Sequence, residues 1–422
     1  MEKVATRVAI VHRTMPGERD NLAELRELCR TAGYEVVYEL RQERYPHPKY
    51  NLGSGKVEEL RKAVKRLGVE KVVFENELKP VQEYNLAKSL GVPVISRTQL
   101  ILEIFSLHAN NIEAKLQIKL AELKYELSRA KEKVRLAKKG EQPGFHGLGA
   151  YEADVYYDEI HRRIVSINRK LEAIKKHMNL LRVERRGYGL PIISLAGYTN
   201  AGKSTLFRAL TSEEVRISEQ LFTTLTPTTR LTRFDGKPAF ISDTVGFIRN
   251  LPTLLVEAFY ATLREIALSD LILLVADVSE PLDELREKVE TSINILNSIG
   301  AYNVPTLLVL NKVDLVGEGE ALRKAEGLGL RLPHVLVSAL HGEGLKRLEV
   351  EASRMLRGFI EVEAILPYNG ETLKMLSELY RRSKVRNIVY ESDVVRVEAE
   401  APLYLAEKLR RCAVEGGFRV VG

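Results

Sequence analysis

The chain has no tryptophan, and only two cysteines and five methionines stand among its 422 residues. Cys29 and Cys412 lie far apart in the sequence, which argues against the disulfide framework of a small secreted domain. No group of histidines and cysteines has the spacing of a zinc site. We therefore expect two ordinary thiols in the reducing environment of the cytoplasm.

Long hydrophobic runs are also missing. No apolar stretch approaches the roughly 18 residues that a membrane-spanning helix needs, and Met1–Arg7 leads directly into a strand-like run, which predicts no signal peptide. With 45% hydrophobic and 29% charged residues, the composition is that of a soluble globular protein, and we expect it in the cytoplasm. Because single cores rarely exceed about 250–300 residues, we expect more than one domain.

Positive charge is concentrated in one segment. The chain carries a net charge of +7, and residues 113–186 alone contain 18 Lys and Arg against 11 Asp and Glu, an excess equal to that of the whole chain. Such an excess is commonly just a solvated helix face, but on long helices it favours a nucleic-acid partner. We expect RNA and not DNA, and a monomeric protein.

Residues 197–204 match the phosphate-loop pattern G-x-x-x-x-G-K-[ST]. A strand-like run at 190–196 precedes them and a helix-like segment at 204–210 follows, which is the context that a phosphate loop requires. We expect Lys203 to contact the β- and γ-phosphates of a nucleotide and Ser204 to bind Mg²⁺. The predicted nucleotide contacts here are Gly197, Tyr198, Thr199, Asn200, Ala201, Gly202, Lys203, Ser204 and Thr205.

A second motif predicts which base is bound. Asn311 and Asp314 belong to the pattern N-K-x-D after a strand-like run at 304–310, and S-A-L follows another such run at 334–337. The Asp314 carboxylate can accept both N–H donors on one edge of guanine, a pair that adenine lacks, so we expect GTP as the substrate. Asn311 would tie this loop to the phosphate loop, and the Ala339 N–H would meet guanine O6. The predicted base-site residues are Asn311, Lys312, Asp314, Ser338, Ala339 and Leu340.

A third motif, D-T-V-G, ends the strand-like run at 239–242. Asp243 is placed to hold Mg²⁺ through a water molecule, and the Gly246 N–H is placed to meet the γ-phosphate. Thr244 and Val245 complete the predicted nucleotide contacts of this motif.

The threonine-rich stretch at 222–230 has the composition of a mobile switch, in which one threonine completes the Mg²⁺ shell. Thr224 is our choice for that ligand, although spacing alone does not separate it from Thr228. Phe222 and Thr223 are predicted to contact the nucleotide beside it. The residues predicted to take part in catalysis are Lys203, Thr224 and Gly246.

Phe247 stands where many GTPases carry a glutamine that orients the attacking water. A phenyl ring cannot do this, so another group positions the water or a partner completes a slow enzyme; packing of Phe247 in the core is compatible with both. Asn200 offers a possible K⁺ ligand beside the phosphates, although asparagine is also simply a good turn residue.

The predicted fold class is multidomain α/β. Alternating strands and helices in the first hundred residues indicate a small, largely parallel sheet, in which Gly53–Lys56 is a turn into a helix despite its likeness to a phosphate loop. The predicted domains are an N-terminal α/β subdomain at 1–104, a helical hairpin at 105–187, a P-loop GTPase domain with a mostly parallel sheet at 188–358 and an α+β tail at 359–422.

Apolar stripes of helical spacing predict two long helices, 112–139 and 153–185, on either side of the glycine-rich residues 140–149. We therefore predict that the two helices form an antiparallel hairpin, with the glycine loop at its exposed tip. A plain flexible loop is the alternative, but tips on rigid scaffolds are typical recognition sites.

These motifs together resemble the HflX family of translation GTPases over nearly the whole chain. GYTNAGKST (197–205), FTTLTPTTR (222–230) and DTVGFIRNLP (243–252) are similar to the wider Obg–HflX group, and YNLGSGKVEEL (50–60), SRTQLILEIF (96–105) and 111–130 narrow the match to HflX. The glycine loop departs from the GPGE-type run that is usual in the family. The resemblance implies binding to the large ribosomal subunit and its RNA, with the hairpin directed toward the peptidyl-transferase region.

By the same resemblance, the protein would split, rescue or recycle ribosomes while hydrolysing GTP. The alternative is a nucleotide-switched RNA-binding factor in ribosome assembly, in which hydrolysis serves only release. An ATP-driven RNA remodeller ranks last, because residues 1–110 contain no credible ATP site.

Overall fold

A computed structural model describes residues 5–18, 20–109, 112–138, 150–187, 190–211, 228–244, 246–247 and 266–421. The described residues fall into two compact units, one extending through Lys175 and the other beginning at Lys176. Within these ranges, no helix is both long and apolar enough to cross a membrane.

The first unit opens with the predicted parallel sheet. Its strands pair in the order β2-β1-β3-β4, all parallel. Left-handed Gly68 and Gly91 end two of the covering helices (φ 59° and 74°), a conformation that glycine adopts without steric cost. The strands are β1 (Thr6–Thr14), β2 (Tyr34–Glu43), β3 (Lys71–Phe74) and β4 (Val94–Ser96), and the helices are α1 (Leu22–Thr31), α2 (Ser54–Leu67) and α3 (Pro80–Leu90).

A further helix, α4 (Arg97–His108), was not predicted as a separate element. Ser96 and Gln99 form a capping box at its start, which satisfies backbone N–H groups of the first turn. The helix is buried on several sides, including Leu100, Ile101 and Leu102 in succession. It therefore shows no amphipathic stripe from which sequence periodicity could identify it.

Two long helices follow, α5 (Ile112–Lys138) and α6 (Ala150–Gly187). Tyr156 of α6 hydrogen-bonds to Glu126 of α5, and the apolar stripes pack together as expected. The packed side chains include Leu120, Leu123, Ala130, Ile160, Ile164 and Ile167. The predicted glycine-rich tip at 140–149 lies outside the described residues.

The second unit contains a six-stranded sheet in the order β10-β9-β8-β5-β7-β6. It is parallel except for β6, which pairs antiparallel with β7. Its core includes Leu195, Leu273 and Val309, one from each of three neighbouring strands. The strands are β5 (Ile192–Gly197), β6 (Thr228–Phe234), β7 (Lys237–Asp243), β8 (Leu271–Asp277), β9 (Thr306–Asn311) and β10 (His334–Leu336), and the helices are α7 (Lys203–Thr211), α8 (Leu282–Ser298), α9 (Glu318–Gly327) and α10 (Leu345–Met355).

An antiparallel four-stranded sheet ends the unit, in the order β12-β13-β11-β14. Its first strand and first helix were not predicted, whereas the later elements were. The strands are β11 (Phe359–Pro367), β12 (Lys384–Tyr390), β13 (Val394–Pro402) and β14 (Phe418–Val421), and the helices are α11 (Gly370–Arg382) and α12 (Leu403–Cys412). The predicted fold class, a multidomain α/β protein with a P-loop GTPase domain and an α+β tail, is confirmed.

The tail sheet is joined to the six-stranded sheet by a largely buried ion pair. Nζ of Lys237, at the start of β7, lies 2.7 Å from Oε2 of Glu400 on β13 and donates to the Ser353 carbonyl at 3.0 Å. Arg386 also donates to Glu400, at 2.8 Å. Burial alone would raise the pKa of Glu400, but hydrogen bonds from Lys237 and Arg386 and the nearby positive charges outweigh it and lower that pKa to about 2.

Glu400→Gln should lower the stability of this part of the protein by roughly 1–3 kcal/mol, because a buried ammonium loses its charged partner. Since folding lowers the pKa of Glu400 from about 4.5, the stabilisation is full above that pH and is lost as pH falls toward 2. Melting temperatures of both proteins at pH 7 and pH 3 would test this. A difference between them that is as large at pH 3 as at pH 7 would contradict it.

Candidate nucleotide site

The predicted phosphate loop lies between β5 and α7, at the carboxyl edge of the parallel sheet, where α/β folds bind ligands. Gly197 has φ 137° and Gly202 has φ 91°, both in the region that favours glycine. A Cβ at Gly197 would lie 2.1 Å from the Val275 carbonyl oxygen. The loop can therefore pass this close to β8 only with glycine at that position.

Lys203 is the first residue of α7 and is buried. Its Nζ donates to the Tyr198 carbonyl of the same loop at 2.7 Å. Burial lowers the pKa of Lys203 to about 8, and the charge of Asp243 partly opposes that shift. The structure thus holds one desolvated cation inside the predicted phosphate cradle, where its electrostatic effect is strong.

Ser204 and Asp243, the two groups predicted to hold Mg²⁺, lie side by side. The Ser204 hydroxyl donates to Oδ2 of Asp243 at 2.9 Å. Mg²⁺ prefers hard oxygen ligands, and GTPases use a phosphate-loop hydroxyl and a strand-end carboxylate for it. The donor set therefore fits the ion, which Ser204 and Asp243 would hold.

Gly246 and Phe247, at the end of the D-T-V-G-F run, pack directly against the phosphate loop. A Cβ at Gly246 would lie 2.9 Å from Nζ of Lys203 and 2.8 Å from Cγ2 of Thr199, so only glycine fits there without displacement. The hydroxyl of Thr244 donates to the Leu195 carbonyl at 2.6 Å. Its side chain is therefore engaged in anchoring the end of β7 to β5.

Phe247 is buried and pairs with the phosphate loop through its backbone. Thr199 N–H donates to the Phe247 carbonyl at 2.7 Å, and Phe247 N–H donates to the Gly197 carbonyl at 3.0 Å. Phe247 therefore packs in the core, as one interpretation of the sequence proposed. Asn200 has φ 64°, which asparagine tolerates better than most residues.

Asn311 connects the phosphate loop with the S-A-L loop. Its Nδ2 donates to the Ala201 carbonyl at 2.9 Å, and its Oδ1 accepts from the Ala339 N–H at 3.0 Å. The first contact is the one expected from the sequence. The second differs from expectation, because the N–H assigned to guanine O6 is engaged by Asn311 and would have to be shared with the base or exchanged.

The rest of the predicted base site surrounds a short 3₁₀ turn, Val313–Leu315. Oδ2 of Asp314 lies 3.8 Å from Nε2 of His341. The Ser338 hydroxyl accepts from the His341 N–H at 3.3 Å, and Leu340 is exposed. The sequence pattern did not single out His341, which follows S-A-L directly.

Asp277 was also missed. It ends β8, is buried, and its Oδ2 lies 2.6 Å from Nζ of Lys312. Ser279 donates to its other carboxylate oxygen through both its N–H and its hydroxyl. The available signal was a carboxylate at the end of an apolar strand, the same signal that identified Asp243, but no motif accompanied it.

Several predicted site residues lie outside the described part of the chain, namely Phe222, Thr223, Thr224 and Val245. Thr228 begins β6 and pairs in register with Asp243. The choice between Thr224 and Thr228 as the Mg²⁺ ligand stays a prediction.

Comparison with known proteins follows the same division of the chain. The family descriptions that match are GTP-binding GTPase N-terminal at 19–106, GTP-binding GTPase Middle Region at 108–185 and 50S ribosome-binding GTPase at 192–312. GTPase HflX of Thermofilum pendens is 46% identical over 383 residues, 89% of each chain. GTPase HflX of Escherichia coli is 36% identical over 376 residues, 84% of this chain and 88% of that protein.

Among solved structures, a crystal structure of SsGBP in complex with GDP is similar with a TM-score of 0.50 and 28% identity, covering 83% of this chain and 98% of that one. The similarity thus extends over the N-terminal, middle and GTPase regions. The chain belongs to the HflX family of GTPases, which bind and hydrolyse GTP.

Proposed function

We propose that this GTPase binds the large ribosomal subunit through its basic helical hairpin and uses GTP hydrolysis to split, rescue or recycle ribosomes in the cytoplasm. The observation that carries the proposal is the match of residues 192–312 to the description 50S ribosome-binding GTPase. The charge excess of residues 113–186 supports RNA as the surface that the hairpin contacts, since phosphates attract such a segment.

In the proposed site, backbone N–H groups of the phosphate loop and the Lys203 ammonium neutralise the phosphates. The Gly246 N–H meets the γ-phosphate, and Asp314 selects guanine. Mg²⁺, held by Ser204 and through water by Asp243, supplies additional positive charge toward the phosphate oxygens. Phe247 occupies the position from which a glutamine orients the attacking water in many GTPases, and its phenyl ring cannot do this. Hydrolysis is therefore slow until a partner orders the site.

Lys203→Ala should weaken GDP binding about 100-fold, because a charged hydrogen bond contributes about 1.5–3 kcal/mol. Since burial lowers the pKa of Lys203 to about 8, affinity of the unaltered protein should also fall as pH rises above 8, where binding requires proton uptake. Calorimetric titration measures both. Lys346→Ala, at an exposed lysine of α10, is the control. Unchanged affinity of the Lys203 variant would remove the phosphate-loop assignment.

Asp314→Asn should exchange an acceptor for a donor opposite the base, so guanine nucleotides lose affinity and xanthine nucleotides gain it. We expect a shift in their affinity ratio of at least about tenfold, as for one charged hydrogen bond. Competition binding with GDP and XDP measures the ratio. Asp283→Asn, at an exposed carboxylate, is the matched control. If the guanine preference survives in the Asp314 variant, another residue selects the base.

Purified large subunits should accelerate single-turnover GTP hydrolysis, and the effect should depend on exposed basic residues of α6. Arg169→Glu with Lys170→Glu, two exposed positions, should weaken subunit binding and make the remaining affinity less sensitive to salt, because fewer counterions are released, while GDP affinity stays the same. Lys346→Glu is the control for charge reversal. Running the assay in K⁺ and in Na⁺ tests the K⁺ ligand predicted at Asn200.

Two results would contradict parts of this function. Subunits that bind but leave the rate unchanged would favour the nucleotide-switched RNA-binding factor, in which hydrolysis serves only release. Equal binding of the double variant and the unaltered protein would show that this face of the hairpin does not contact the subunit.

A further inference from the structure

The antiparallel pair β6–β7 has one end at the nucleotide site and the other at the tail sheet. At the first end, Thr228 pairs with Asp243. At the second, Asp235 and Gly236 form a two-residue turn with φ 48° and 85°, a geometry that suits strand twist. Seven residues on each strand separate the two ends, so the turn lies about 20 Å from Asp243 along the strand.

The hairpin is bonded to the six-stranded sheet through one strand alone. β6 is the edge strand and pairs only with β7 among the described strands. β7 in turn pairs with β5 over Phe240–Ser242, toward the site. The half of the hairpin nearer to the turn therefore depends on contacts outside the sheet.

The tail domain supplies part of those contacts, beside the core packing of Phe234, and the first is made by Lys384 at the start of β12. Its Nζ lies 2.5 Å from Oδ2 of Asp235 and 3.4 Å from Oε1 of Glu400. Its stem covers Gly236, where an added Cβ would lie 3.0 Å from Cγ of Lys384. One lysine therefore binds the turn by charge and packs against its backbone.

A second contact joins Arg233 of β6 to the end of helix α11. The Arg233 guanidinium donates to the Tyr380 carbonyl at 2.5 Å and to the Ser383 carbonyl at 3.3 Å. Carbonyls at a helix C-terminus lack intrahelical donors and carry partial negative charge. Arg233 therefore satisfies the end of α11 while fixing the hairpin to it.

We propose that the tail domain positions the β6–β7 hairpin for GTP hydrolysis, with Asp235, Arg233 and Lys384 as positioning residues. The proposal rests on the roles proposed above for Asp243 and Gly246. The phosphate loop follows β5, and the base-site loops follow β9 and β10, so the hairpin and its continuation supply only Asp243, Thr244 and Gly246 among the described residues of the predicted site. Loosening the turn should therefore affect the chemical step more than nucleotide binding.

The main test is Lys384→Met, which keeps an aliphatic stem over Gly236 and removes the charge. We expect the maximal rate of GTP hydrolysis to fall about fivefold to tenfold, because small misplacements of catalytic groups are costly, and the Kd for GDP to change less than twofold. Lys384→Arg should restore most of the rate. Glu378→Gln breaks an ion pair with Lys408 inside the tail domain and should leave the rate unchanged.

A double-mutant cycle tests whether the effect comes from the contact between Asp235 and Lys384. Asp235→Asn removes the charge while keeping a residue that tolerates positive φ. If Asp235 and Lys384 act together, the double variant should be no slower than either single variant. Additive rate losses, an unchanged rate in Lys384→Met, or parallel losses of rate, GDP affinity and melting temperature would each overturn the proposal.

Asp243→Ala separates this proposal from the one on which it rests. Loss of hydrolysis in Asp243→Ala, with GDP binding retained, supports the assigned role of the strand end. Full activity in Asp243→Ala would remove that role, whatever the behaviour of Lys384→Met. If Asp243→Ala loses hydrolysis but Lys384→Met keeps the full rate, the role of Asp243 stands and only the positioning by the tail domain is refuted.

Discussion

The side-chain amide of Asn311 is the contact on which the nucleotide site depends. It donates to the phosphate loop at Ala201 and accepts from the S-A-L loop at Ala339. Both of its polar atoms are thus used, and the residue is buried. Loops that follow three different strands, β5, β9 and β10, are held in one arrangement by a single side chain. An aspartate at 311 would lose the donor and leave the Ala201 carbonyl without it, at a cost of about 1–3 kcal/mol.

Around this contact, the site holds two lysines, of which Lys203 is buried and Lys312 is partly buried. Lys312 pairs with the buried carboxylate of Asp277. Both cations belong to motifs that the sequence predicts to contact the nucleotide, and each has a protein acceptor, the Tyr198 carbonyl in one case and Asp277 in the other. The lysines are therefore held in place by acceptors of the protein itself. Such preorganisation lowers the cost of ordering them when a ligand binds.

The motifs predicted the strand–loop–helix context of the site because each motif has a backbone requirement. Gly197 and Gly202 occupy positive φ, and Asp243 ends a buried strand, as their spacing indicated. The hydrogen-bond partners of individual groups were harder to predict from the sequence. The Ala339 N–H has two possible acceptors, guanine O6 and Asn311, and no sequence pattern separates them. Asp277 escaped notice because its partner Lys312 is 35 positions away in the sequence, and strand order alone brings them together.

The same reasoning explains the elements that were missed. Helix α4 is buried on several sides, so its apolar residues show no helical period, and periodicity is the signal on which helix prediction depends. Strand β11 was missed, although it forms the centre of the tail sheet with β13, because its alternation runs directly into Pro367 and the start of α11. Propensity and local pattern carry no information on which strand will pair with it.

Contacts that join domains were the least predictable, and they bear on how the enzyme works. No sequence pattern singled out Arg233, Asp235 or Lys237, because isolated polar residues beside a turn are usually solvated. Their partners lie more than a hundred residues later, on α10, α11, β12 and β13. Burial of Lys237 beside Glu400 requires that the tail domain be folded and docked before that charge is compensated. Docking of the tail and order in the turn are therefore linked by charge compensation, since an undocked tail would leave Lys237 without its carboxylate partner.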